Sequence, residues 1–406
     1  MKSNYKRLGD FIRPSNEFNE GMEVKELLGI SNNKYFQDSH TNTIGIDLQD
    51  YRIVRTGQFA YNRATTRNGD KISIALRQGN DCIVSPSYRI FQVIDETKLL
   101  SEYVMMWFRR PEFDRYARFK SHGSAHEFFE WDLMCEVEIP VPHITKQKEI
   151  VKEYNTIANR IVLNNQLIQK LEETAQAIYK QWFVDFDFPD ENGKSYKSND
   201  GEMEFNEELQ KEIPKGWRVE KLGNFIESAS KQHSFKKKEL IFFNTSDILD
   251  GEFLHNIYSS VSKMPGQAKK KIQKDDILYS EIRPANKRYA LVRIDADDYV
   301  VSTKLMVLRR INNNLSVYRI YYFLTEESFI TILQQSAEGR SGTFPQVTFE
   351  EDLVWKKIII ADDRIEEIWE QYLSAHFSNL YQIKDENRVL LEMKSLLLSK
   401  LSIIEN

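Results

Sequence analysis

The chain has 406 residues, too long for one ordinary hydrophobic core and long enough for two or three domains. Apolar residues make up 41% and aromatics 12%, which excludes a disordered chain, because that much apolar surface offsets the entropy of ordering. A net charge of −5 excludes a protein coated all over in basic charge for nucleic acid, so such a role would have to rest on local basic clusters.

In chain order, the amino terminus MKSNYKRLGDFIRP is charged at its second residue and has no apolar signal core. Nowhere do about 18 uncharged apolar residues run together. A cytoplasmic protein without a membrane span is expected. Cys82 and Cys135 stand alone, which supports neither a disulfide framework nor a Cys-based zinc site.

Residues 6–12, KRLGDFI, return at 221–226 as KLGNFI, with Tyr5 and Trp217 a few residues upstream. The likeness continues. GQFAYNRA (57–64) answers to DDILYSEIRP (275–284), aligning Tyr61 with Tyr279. CIVSPSYRIFQV (82–93) answers to YVVSTKLMVLRR (299–310), both read as apolar strands entered through a polar loop. YVMMWFRRPEFDRYARF (103–119) and YRIYYFLTEESFITIL (318–333) are aromatic-rich segments with helical spacing. GSAHEFFEWDLMCEVEIPVP (123–142) and GTFPQVTFEEDLVWKKIII (342–360) share an Asp-Leu step, Asp132-Leu133 and Asp352-Leu353, and each closes on a strand. An offset held at about 215 to 220 residues reports a duplicated architecture.

Each copy runs into a long helix. The first carries a seam at Ile150, Tyr154, Ile157, Ile161, Asn164, Ile168, Leu171, Ala175, Ile178 and Trp182, steps of four and three without a break. The second seam, Trp369, Leu373, His376, Leu380, Ile383, Asn387, Leu390, Lys394, Leu397 and Leu401, is less apolar. About 38 helical residues make a rod of roughly 57 Å, more than a small domain needs as a cap, so the two rods are expected to pair. A polar residue inside each seam, Asn164 and Asn387, would penalise wrong registers.

The expected fold is therefore α+β: two similar α+β domains separated by two long helices that form an antiparallel coiled coil, a pseudo-twofold internal repeat. The expected segments are a first domain at 1–144, long helix one at 145–184, a polar connector at 185–213, a second domain at 214–361 and long helix two at 362–406.

No catalytic constellation stands out. NGKS at 192–195 imitates the end of a phosphate-binding loop, but Phe188 holds the place of the first glycine. His122 and His126, near Glu127 and Glu130, are separated by Gly123-Ser124, which spoils a ligand-bearing helix. Glu23-Val24-Lys25 and Glu392-Met393-Lys394 have a nuclease-like spacing that a highly charged chain produces by chance. No glycine-rich cofactor loop accompanies a Pro-Pro methylation site, since no two prolines are adjacent. The chain is expected not to be an enzyme and to hold no metal or cofactor itself.

The basic clusters lie at 61–71, 231–238, 269–271 and 282–288. Loop chemistry selects as candidate DNA contacts Asn62, Arg63, Arg67, Asn68 and Lys71 in the first copy, and Arg283, Asn286, Lys287 and Arg288 in the second.

The stretches FAYNRATTRNGDKISIALRQGNDCIVSPSYRIFQV, DLMCEVEIPVPHITKQKEIV, WFVDFDFPDENGKSYKS and EIPKGWRVEKLGNFI, in that order, resemble the DNA-specificity subunit of Type I restriction-modification systems. The resemblance covers essentially the whole chain and implies two target recognition domains, each reading half of a bipartite DNA sequence, spaced by an antiparallel coiled coil. It also implies partners: double-stranded DNA, two methyltransferase subunits carrying S-adenosylmethionine, and restriction subunits using ATP and Mg. YSEIRPANKRYALV matches the family's Tyr-Asn-Arg segment only loosely, so the second set of contacts rests on loop chemistry alone. Two other readings stay open: a coiled-coil adaptor whose α+β domains bind proteins, and a self-sufficient nuclease. The target sequence and spacer length are not legible, because readout mixes side-chain contacts with DNA shape.

Overall fold

The computed structural model describes residues 5–39, 45–64, 71–121, 127–341 and 345–403. It divides into two compact units: Met1–Gln166 with Ile383–Asn406, and Leu167–Gln382.

In the first unit an antiparallel four-stranded sheet has the order Ile12–Ser15, Tyr88–Val93, Phe59–Asn62, Ile74–Leu76. Alternate residues of a strand point to opposite faces. Phe91 and Val93 accordingly pack with Phe59 and Tyr61 on helices α1 (Ser101–Phe108) and α2 (Pro111–Lys120), while Ile90 and Ala60 face Leu28, Val54 and Val84. That second face belongs to an outer lobe in which Arg52–Val54 and Cys82–Val84 pair antiparallel. Proline at the first turn of α2 suits a position whose N–H has no partner within the helix. A short helix α3 (Trp131–Cys135) precedes the strand Glu138–Pro140, which pairs with Tyr5–Arg7 and brings the start of the domain against its end.

The second unit repeats this scaffold. Its sheet runs Ile226–Ser228, Leu305–Arg310, Ile277–Ser280, Tyr289–Leu291, again antiparallel, and Lys357–Ile360 pairs with Arg218–Lys221. Helices α5 (Val317–Thr325) and α6 (Glu327–Arg340) stand where α1 and α2 stand in the first unit. The outer lobes differ. Here a second four-stranded sheet has a parallel central pair, Glu239–Phe243 with Tyr299–Ser302, flanked by Tyr258–Ser260 and Ala268–Lys271.

The repeated Leu-Gly step has a packing cause. A Cβ at Gly9 would lie 2.7 Å from Cβ of Cys135, and one at Gly223 would collide with Val354. In both units the backbone closes onto the turn before the last strand too tightly for any side chain.

Helices α4 (Ile144–Tyr179) and α7 (Asp363–Lys400) carry the two seams. Within the first unit Tyr154 meets Lys394 at 5.4 Å and Asn164 meets Asn387, so one helix runs forward as the other runs back. Asn164 donates to Asn387 at 2.9 Å, Asn387 donates to Asn165 at 2.8 Å, and Arg160 forks onto Glu386 at 2.8 and 3.0 Å. Gln147, fully buried, ties α4 to the domain by accepting from Leu100 N–H and donating to the carbonyls of Lys98 and Pro142.

Within the second unit α4 and α7 close over an aromatic core of Tyr179, Phe183, Tyr322 and Trp369. Arg319 of α5 is buried in it, donating to Tyr179 Oη and the Ile359 carbonyl at 2.8 Å each, with its guanidinium 3.6 Å from the Phe183 ring centroid. Glu366 lies 3.6 Å away, and burial pushes its carboxyl up against the opposing pull of Arg319. The polar connector contributes to the same core through Phe186 and Phe188, the latter stacked on Trp217 at 4.7 Å.

Candidate nucleic-acid interface

In each unit the central strand ends in a corner where two distant segments meet. Phe129 N–H donates to the Arg63 carbonyl at 2.9 Å, and Val347 N–H donates to the Glu281 carbonyl at 2.8 Å, so the loop after the strand is stitched to the segment leading to the last strand. The candidate contacts sit on these corners.

In the first unit Asn62 turns its side-chain oxygen onto Ala64 N–H at 3.0 Å. Arg63 forks onto Glu130 at 2.8 and 3.2 Å and lies 5.2 Å from the Phe128 ring, so its charge is already matched within the fold. Lys71 is exposed. Arg67 and Asn68 lie outside the described residues, as do His122 and His126. Arg55 and Arg77 are also paired, with Asp81 and Glu26 at 2.7 Å each.

In the second unit Arg283 and Asn286 are exposed at either end of a tight turn entered at φ 48° and left at φ 52°. Lys287 pairs with Glu327 at 2.8 Å, and Arg288 donates to the carbonyls of Ser246 and Ile248 at 3.1 and 2.9 Å. Those last two bonds hold the outer lobe to the sheet.

A stronger basic surface joins two clusters far apart in sequence. Gln232 bridges Lys270, His233 N–H donates to the Lys269 carbonyl at 2.8 Å, and Lys271 N–H donates to the Lys231 carbonyl at 2.9 Å. Lys231, Lys236, Lys238 and Lys269 are thereby gathered on one lobe, exposed and without an ion pair among the described residues. Residues 229–274 hold nine lysines against four carboxylates, which reverses locally the negative sign of the whole chain. Burial, followed by the nearby Lys271, pushes the His233 imidazole down, keeping it from adding to this charge. Each run alone looks like a solvated face; only pairing across nearly 40 residues makes them one surface.

The loop at 192–195 has no cradle for phosphate, because its N–H groups are taken: Asn192 and Lys194 both donate to Asp190 at 2.8 Å. Among the described residues no three His, Cys, Asp or Glu side chains are grouped as for a metal, and no helix is long and apolar enough to cross a membrane.

Residues 214–389 match the model of a known family, the Type I restriction modification DNA specificity domain. The chain is 44% identical over 135 residues to the Type I restriction enzyme HindI specificity subunit of Haemophilus influenzae, covering 33% of this chain and 29% of that one. It is 30% identical over 152 residues to the MjaIX specificity subunit of Methanocaldococcus jannaschii, covering 37% and 33%. The matches thus span about a third of the length of these curated relatives. In fold the chain is similar to the crystal structure of the Type-I restriction-modification system S subunit from M. genitalium, with a TM-score of 0.59 at 14% identity over 99% of this chain and 96% of that one.

Proposed function

We infer that this chain, a relative of Type I restriction-modification specificity subunits in sequence and in fold, is the DNA-reading subunit of such a complex. One observation carries the reading. The same scaffold occurs twice, yet its outer lobes differ in strand number and charge. A duplicated frame holding two unlike surfaces suits two unlike half-sites of one bipartite target. Affinity comes from cations on phosphates, and sequence is read by polar groups at base edges. The long helices set the gap between half-sites.

The helices also offer a place for partners. Val389, Met393, Leu396 and Ile403 recur at heptad spacing outside the seam that faces α4, and all are exposed, as are Val162 and Leu163 of α4. An uncovered apolar stripe of this kind suits helices of the methyltransferase subunits. Methyl transfer, with S-adenosylmethionine, and ATP-driven translocation and cleavage belong to the partner subunits; this chain supplies recognition, in the cytoplasm.

The test is salt-dependent binding of duplex DNA by the chain with its methyltransferase partner. Changing Lys231, Lys236, Lys238 and Lys269 to Gln should flatten the slope of log K against log salt by about 0.9 for each phosphate that is no longer neutralised. The partner-free chain should neither methylate nor cut. An unchanged slope with unchanged affinity would remove the lysine lobe from the interface. Failure of the intact complex to prefer any DNA sequence would favour a protein-binding adaptor.

A further inference from the structure

The second unit has a slot whose lining includes none of the candidate DNA contacts. It is a cleft of about 260 Å³ between the end of α4, the connector hairpin (Met203–Asn206 with Lys211–Pro214), α5, the start of α6 and the strand Lys357–Ile360. Phe183, Phe323, Phe329 and Ile332 supply apolar walls, and the buried Arg319 lines it with its guanidinium already spent on Tyr179 and Ile359. Ile332 is half exposed at the rim.

The rim is basic. Lys211 and Lys356 both line the slot, and neither has an ion pair among the described residues. The carboxylates close by are engaged: Glu326 caps α6 through Phe329 N–H at 3.0 Å, and Glu208 pairs with Lys357. Partial burial, with Lys197 next in effect, pushes the Lys211 amine down, so an anion brought beside it would be favoured. The duplicated scaffold does not account for these charges. The positions matching Arg319, Lys356 and Lys357 in the first unit are Val104, Val137 and Glu138.

We propose that this slot docks an acidic segment of a partner polypeptide, one large apolar side chain entering the cleft while flanking carboxylates meet Lys211 and Lys356. The volume holds one bulky side chain, and the unpaired lysines select the sign of its neighbours. Because the first unit lacks these cations, the contact is made once per chain. It is separate from the exposed stripe on the helices and does not depend on DNA reading.

The test uses the full-length chain and a fluorescein-labelled peptide, Glu-Asp-Phe-Asp-Glu, with Glu-Asp-Ala-Asp-Glu and Lys-Lys-Phe-Lys-Lys as controls, in fluorescence anisotropy without DNA. The Phe peptide should bind, and the Ala and Lys peptides should bind at least about tenfold more weakly. Ile332→Asp and Lys356→Glu should each weaken the Phe peptide by about fivefold or more with the thermal unfolding curve unchanged, while Lys238→Glu on the outer lobe should not. Equal binding of the Phe and Ala peptides, or equal losses from Lys238→Glu and Lys356→Glu, would overturn the proposal. So would sodium octanoate binding in place of the Phe peptide, which would make the slot a site for small carboxylates.

Discussion

One polar position beneath each four-stranded sheet takes two different forms. In the first unit Gln58, buried, shares a 2.8 Å hydrogen bond with Gln92. In the second unit the matching positions are Asp276 and Arg309, joined by a fork at 2.8 and 2.7 Å with Asp276 only 1% exposed. The copies thus keep a cross-strand tie while exchanging amide for charge. Removing one member of a buried ion pair strands the other charge, whereas replacing both need cost little. Arg309→Gln should therefore destabilise the protein by about 3 kcal/mol, and Asp276→Gln added to it should restore most of the loss. Denaturant unfolding of the two single variants and the double variant checks this; a double variant no better than Arg309→Gln would show that the two side chains act separately. The tie is not legible in the sequence, because its members lie some 33 residues apart. The same limit governs the candidate contacts. Residue chemistry singles out Arg63 and Arg288, but Glu130 and the carbonyls of Ser246 and Ile248, which engage them, come from distant parts of the chain.

The long helices are the most legible elements, because heptad spacing is a local signal that tertiary context rarely overrides at this length. Every position of both expected seams is buried or half-buried, including Lys394, whose ammonium lies over the Tyr154 ring. The first helix runs to Tyr179, and its last turn widens to a π-type turn at Lys180–Val184 as Phe183 enters the aromatic core. The connector reads as polar yet hides a hairpin, since its few aromatics, Phe186, Phe188 and Tyr196, follow no period. The Asn pair gives the element-scale prediction. Asn387→Leu should cost about 1 to 3 kcal/mol by leaving Asn164 buried without its acceptor. The double variant Asn164→Leu with Asn387→Leu should recover that loss, since an apolar seam has no unmet polar group. Thermal midpoints of the three variants decide it, and a single variant as stable as the double would mean the amides do not depend on each other.

At the scale of the whole molecule, duplication makes the scaffold readable: Leu-Gly steps, the Tyr61 and Tyr279 strands and the closing strands all occupy matching places. The outer lobes are unreadable for the opposite reason. They differ between the copies, their strands are two to five residues long, and the parallel pairing that forms a three-pair ladder in the second unit is one bridge, Leu27 with Ile83, in the first. Surfaces that diverge inside a fixed frame are what the reading of two different half-sites requires. On this reading the helices fix the distance between those half-sites. Asn165 accepts from Asn387 and should be kept, so one heptad is inserted after Gln169 in α4 and a matching one after Gln382 in α7, both exposed positions. The seams stay in phase and each helix lengthens by about 10 Å, roughly three base pairs of duplex. Methylation mapping of host DNA from cells carrying the variant is the direct measurement. The same two half-sites with a gap longer by about three base pairs is the predicted result. Full methylation at the original spacing would contradict it, because the helices would then not be setting the gap.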